Sequence, residues 1–160
     1  MTRPPLVLLS LLVACDAPRI DGLLPAEDPD LQYIEWIAVP ATGADAAFIA
    51  QVIGDSDRAP VAYIGATWCG SCNAYKATLE SDTMKEVHGQ VQVLELDLDR
   101  HKGLLADLGI RPAGVPHWEG LDASGKSTGV RVDGRAFSAD TEAVMAPVLK
   151  DYFAKVSGGS

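Results

Sequence analysis

The chain has 160 residues, 48% hydrophobic and 22% charged, with a formal net charge of −9. That apolar share suits one domain with a sizeable core and excludes a disordered or fibrous chain. The acidic balance, with no cluster of Lys or Arg, argues against nucleic acid as a partner, because phosphates call for a basic patch.

Met1-Thr2-Arg3 and Pro4-Pro5 precede an apolar run from Leu6 to Ala14 that only Ser10 interrupts. As a helix this run rises about 14 Å, well short of the roughly 30 Å hydrocarbon core, so residues 1–14 read as an export signal and not as a membrane span. Its end, Leu12-Val13-Ala14-Cys15, resembles the bacterial lipobox. The resemblance implies a lipid on Cys15, a membrane anchor, and a place in the cell envelope facing the periplasm or the outside. Asp16 fits the signal that retains such proteins at the inner membrane. An ordinary signal peptide with an incidental cysteine is the alternative. Residues 15–30, with three prolines and several acids, read as a tether.

The domain is expected over 31–156. Leu31 to Ile37 is rich in β-formers and predicts the first strand. Thr42 is a candidate cap for a helix over 45–53, with Gly54 placed to end it. Val61-Ala62-Tyr63-Ile64 predicts a short buried strand, and Asn73 to Glu80 a helix that starts at the cysteines just before it. Between them lies Ala66-Thr67-Trp68-Cys69-Gly70-Ser71-Cys72. A cysteine at a helix N-terminus meets unpaired backbone N–H groups and the positive end of the helix dipole, which favour thiolate over thiol. The i, i+3 spacing leaves Cys72 within bonding distance, so a mixed disulfide formed at Cys69 can be attacked and released.

The later segments follow in order. Thr83 to Glu86 carries a capping pattern for a second short helix. Val91 to Asp99 alternates, with Leu94, Leu96 and Leu98 on one face and Glu95, Asp97 and Asp99 on the other, and predicts a strand with a solvated acidic face. His101 to Leu108 predicts a helix ended by Gly109. Asp122-Ala123-Ser124-Gly125 is a turn signal joining strands around Trp118 and Thr128 to Val132. Ser138 is a candidate cap for a final helix to about Val156, with Met145, Leu149, Tyr152 and Val156 on one stripe and a kink at Pro147. Residues 157–160 read as a flexible tail. The order predicts an α/β fold, a mixed central sheet with helices on both faces.

Trp68-Cys69-Gly70-Ser71-Cys72 resembles the thioredoxin superfamily's Trp-Cys-Gly-Pro-Cys, with Ser71 in place of the proline. Ile110-Arg111-Pro112-Ala113-Gly114-Val115-Pro116 is similar to the family's Gly-Ile-x-Gly-Ile-Pro, with two residues more before Gly114. The Ser-Asp segment after the cysteine helix resembles the C-terminal domain of DsbD-type transmembrane reductases. These resemblances imply a thioredoxin-like fold and a thiol–disulfide oxidoreductase that cycles Cys69 and Cys72 between dithiol and disulfide, with no soluble cofactor and no metal. They imply that Trp68, Gly70 and Ser71 support the pair, that Pro116 is cis and packs on the disulfide, and that the Val115 backbone pairs with an extended substrate peptide. Protein or peptide disulfides are the implied substrates and a membrane redox partner the electron source. The family's buried Asp, six residues before the first cysteine, is Tyr63 here. Glu95, on the neighbouring strand, is then the candidate proton acceptor for Cys72. The other readings are a copper carrier using Cys69, Cys72 and His117, and a non-enzymatic scaffold.

Overall fold

A computed structural model describes residues 33–158. The signal, Cys15, the tether, Leu31 and the last two residues lie outside them. Five strands form one sheet in the order β1-β3-β2-β4-β5. They are β1 (Glu35–Ala38), β2 (Ala59–Gly65), β3 (Val91–Asp97), β4 (His117–Leu121) and β5 (Ser127–Asp133). The first three run parallel, and β4 and β5 join antiparallel. This is the mixed sheet of a thioredoxin-like α/β fold.

Alternation along the strands sorts the core into two layers. Val61, Tyr63, Val91, Val93 and Trp118 face α2 (Gly70–Thr78), α3 (Asp82–His88) and α5 (Glu142–Gly158). Ala62, Ile64, Leu94 and Leu96 face α1 (Ala46–Gly54) and α4 (Lys102–Asp107). Among the described residues, no helix is long and apolar enough to cross a membrane.

Several boundaries differ from the sequence reading, each for a local reason. Among the described residues the first strand starts at Glu35, with Tyr33 and Ile34 outside it. Glu35 pairs with Gln92 at the start of β3, and β3 offers almost no backbone before that residue. The Tyr33 carbonyl instead accepts from Arg58 Nη1 at 3.0 Å. Asp45, not Thr42, caps α1, its Oδ1 accepting from the Phe48 N–H at 2.9 Å. The second helical piece begins one cap earlier than the Thr-x-x-Glu pattern suggests. Ser81 is extended and its Oγ accepts from the Met84 N–H at 3.1 Å, which leaves Thr83 inside the helix. His101 is the residue before α4 and not its first turn. The last helix starts at Glu142, with the Thr141 carbonyl accepting from Met145 N–H at 2.9 Å. Ser138 lies in the preceding bend, and Ser157 and Gly158 are helical where a tail is expected. The helix continues through Pro147.

Candidate redox site

The end of β2 delivers Ala66 to a turn, and Cys69 then stands at the N-cap of α2 in an extended conformation. Its Sγ accepts from the Cys72 N–H at 3.1 Å. An N-cap acceptor normally carries oxygen; here a sulfur occupies the position where the helix offers an unpaired N–H and positive potential. That geometry stabilises a thiolate at Cys69. Cys69 and Cys72 are joined, S–S 2.11 Å and Cα–Cα 5.2 Å. They form a small buried cluster with Ala66, against which Leu98 and Val115 pack.

The other residues singled out in the sequence take distinct places. Trp68 is 66% exposed beside the disulfide, and its Nε1 donates to Asp99 Oδ2 at 2.8 Å. Asp99 is itself set by the turn after β3, where Asp97 Oδ1 accepts from the N–H groups of Asp99 and Arg100. Gly70 opens α2 and Ser71 follows it, its Oγ donating to Asp140 Oδ2 at 2.6 Å. The Val115–Pro116 peptide bond is cis. Both residues line a cleft of about 170 Å³ with Ser71, Ala113, Gly134 and Arg135. Gly134 closes on the proline: its N–H donates to the Pro116 carbonyl at 2.8 Å, and a Cβ there would stand 3.0 Å from Pro116 Cδ.

Glu95 is on β3 beside Tyr63 in register. Its carboxylate is held by Lys76, in an ion pair, and by Trp36 Nε1 at 2.8 Å. Both partners are far off in sequence, which is why the alternation of β3 gave the acid but not its setting. Glu95, Cys72, Tyr63, Lys76 and Asp97 share the lining of a cavity of about 60 Å³ below the disulfide.

His117 does not join the sulfurs. It lies opposite Ile64, on the face that packs against α1 and α4, and its Nε2 is 2.7 Å from Glu119 Oε2, both side chains 2% exposed. The hydrogen bonds from His117 and Ser127 hold the Glu119 carboxyl below its usual range despite its burial, which acts the other way. Among the described residues, no group of three or more His, Cys, Asp or Glu side chains is placed to hold a metal ion. Sequence reasoning missed Asp99, Asp140 and Gly134, which support Trp68, Ser71 and Pro116 across 31, 69 and 18 residues.

A cavity of about 540 Å³ lies at the opposite end of the sheet against Ile53, Leu121 and Val156. None of the sequence-derived site residues lines it.

No curated protein sequence matches the chain significantly. Among solved structures, a disulphide isomerase from Xylella fastidiosa Temecula1 is 21% identical with a TM-score of 0.54, covering 72% of this chain and 94% of its own. Thioredoxins from Malassezia sympodialis and Trypanosoma brucei brucei are each 18% identical with TM-scores of 0.50. They cover 75% and 79% of this chain, and 95% of their own in both cases. These likenesses establish the fold. The family model Thioredoxin matches residues 39–128, more than half of the sequence and spanning both the cysteine pair and Pro116, so the chain belongs to the thioredoxin family of thiol–disulfide oxidoreductases.

Proposed function

We propose that this protein reduces or exchanges protein disulfides in the cell envelope, with Cys69 as the attacking thiol and Cys72 as the resolving one. The observation that carries the reading is the Cys69 sulfur at the N-cap of α2, accepting from the Cys72 N–H at 3.1 Å. Cys69 thiolate attacks one sulfur of a substrate disulfide and releases the other as a thiol. Cys72 then attacks Cys69, releasing the second substrate thiol and leaving the Cys69–Cys72 disulfide. Glu95 is the proton acceptor for Cys72. The cleft beside Pro116 receives the substrate chain, with Val115 offering backbone and Trp68 an exposed aromatic face.

The envelope location and the lipid on Cys15 rest on the apolar run Leu6 to Ala14 and the lipobox-like residues before Cys15. A reductase in an oxidising compartment needs electrons from a membrane dithiol partner. The test is the reduction potential of the full chain in detergent, equilibrated with thiol buffers and followed by Trp68 fluorescence. A value near about −270 mV supports a reductase, and one near about −120 mV makes the protein an oxidant. Failure of Cys69 and Cys72 to form a disulfide overturns the reading. Loss of lipid labelling in Cys15→Ser tests the anchor.

A further inference from the structure

Below the disulfide, one polar atom has no partner among the described residues. Tyr63 Oη is buried there without a hydrogen bond, although a buried hydroxyl left unpaired is costly. It lines the same cavity of about 60 Å³ as Cys72 and Glu95. A cavity holds a water once it offers roughly 10–15 Å³ of such space and two or more polar partners. This one satisfies both conditions. Gly65 makes the room: a Cβ there would stand 3.0 Å from Tyr63 Oη and would press on the phenol.

We propose that Tyr63 and one or more waters in this cavity form a relay that carries the Cys72 proton to Glu95. The proposal rests on the reading of Cys72 as the resolving thiol and adds a residue to it. Tyr63 is a positioning residue that acts through water, with Glu95 as the terminal acceptor.

The donor and acceptor count allows the relay. Each Glu95 oxygen already accepts one bond, from Lys76 and from Trp36. An ionised carboxylate has about four lone-pair sites, so each oxygen keeps one free. Burial first, and the Glu95 charge second, push Tyr63 ionisation upward. The phenol therefore stays protonated, able to donate to a water that reaches Glu95 while it accepts from one beside Cys72. The groups around it are Cys72, Tyr75 and Lys76 on α2, Glu95 and Asp97 on β3, Trp36 on β1 and Trp118 on β4. Within that set the anionic oxygen next to Tyr63 in register is that of Glu95.

In the balanced step, the Cys72 S–H proton passes to water and a proton from the relay reaches Glu95. The Cys72 thiolate attacks Cys69 Sγ, the bond from Cys69 to the substrate sulfur breaks, and the substrate thiolate leaves with the electron pair. The cysteines are oxidised to a disulfide and the substrate is reduced to thiols. Glu95 returns its proton to solvent through the half-exposed Lys76 side of the pocket.

The experiment uses reduced full-length protein in detergent with Cys15→Ser throughout, so that only Cys69 and Cys72 react. Dithiobis-nitrobenzoate releases one chromophore when Cys69 attacks and a second when Cys72 resolves the adduct. Tyr63→Phe keeps the ring and removes the hydroxyl. The first phase should be unchanged and the second about tenfold slower or more at neutral pH, within the range of general base assistance. At alkaline pH, where Cys72 ionises unaided, the variant should regain the unsubstituted rate. Glu95→Gln should slow the same phase, and the double variant should be no slower than the slower single one. An unchanged second phase in Tyr63→Phe, or a deficit that persists equally at alkaline pH, overturns the relay. Absence of any second release from the unsubstituted protein would overturn the redox reading itself, a separate outcome.

Discussion

His88 should make this fold acid-sensitive in a defined window. The residue ends α3 and is fully buried. Its Nδ1 lies 2.7 Å from the Met84 carbonyl and its Nε2 2.7 Å from Tyr75 Oη, while Trp118 Nε1 donates to that hydroxyl at 3.4 Å. A single arrangement of protons satisfies all three contacts: Trp118 donates to Tyr75, Tyr75 donates to His88 Nε2, and His88 Nδ1 donates to Met84. A second proton on His88 turns Nε2 into a donor and leaves the Tyr75 proton without an acceptor. Burial is the main cause that lowers the histidine pKa from 6.5 to about 4, with the Met84 carbonyl acting the other way. Because the folded value lies below the unfolded one, the stabilisation is complete above about pH 6.5 and is lost as pH falls toward 4. At about 1.4 kcal/mol per pH unit, that window removes on the order of 3 kcal/mol, a large part of the 5–15 kcal/mol typical of a domain. Urea unfolding at a series of pH values measures it directly. His88→Phe keeps a ring against Phe153, whose centroid is 4.9 Å away, and should be less stable at neutral pH but much flatter across the window. If both proteins lose stability in parallel between pH 6.5 and 4, the assignment of the slope to His88 is wrong.

Other substitutions probe the redox end. Cys72→Ser should accumulate a mixed disulfide between Cys69 and substrate, visible by mass spectrometry, and Cys69→Ser should accumulate none. Gly134→Ala brings a methyl to 3.0 Å from Pro116 Cδ and should lower kcat/KM on a protein disulfide about tenfold, roughly 1.4 kcal/mol. Its reaction with dithiobis-nitrobenzoate should stay unchanged; equal loss on both reagents would place the damage in the cysteines and not the cleft. Asp140→Asn removes a negative charge hydrogen-bonded to the first turn of α2. It should lower the Cys69 thiol pKa by roughly half a unit, read from thiolate absorbance against pH, and a rise would contradict the electrostatic argument.

What the sequence discloses here follows the range of the interaction. The cysteine pair, the strand that ends before it and the helix that starts on it are written in adjacent residues, and so is the leucine alternation of β3. Caps were read less well, although they too are local. Thr42 and Ser81 are both competent cap side chains, but the capping residue is whichever one the chain leaves extended before the first turn. That conformation is fixed by how the helix docks on the sheet. Asp45 and Ser81 meet the condition. The partners of the site were out of reach for a different reason. Asp140 reaches Ser71 from 69 residues away and Trp36 reaches Glu95 from 59. Neither acid nor indole carries a local pattern that marks it.

The position of the acid shows how such distant placement shapes the chemistry. In the family resemblance the buried acid stands six residues before the first cysteine, on the strand that leads to the pair. Here that strand carries Tyr63, and Glu95 stands beside it in parallel register. Neighbouring strands are about 4.8 Å apart, too far for a displaced carboxylate to keep the same contact with Cys72. Tyr63 stands beside Glu95 in register, Gly65 leaves room for its phenol, and both residues line one cavity with Cys72. Trp36 and Lys76 then hold the carboxylate at the far side. Under the proposed relay, a change of strand for one acid goes with a hydroxyl and a glycine on a single strand, two residues apart, and with room for water beside Cys72.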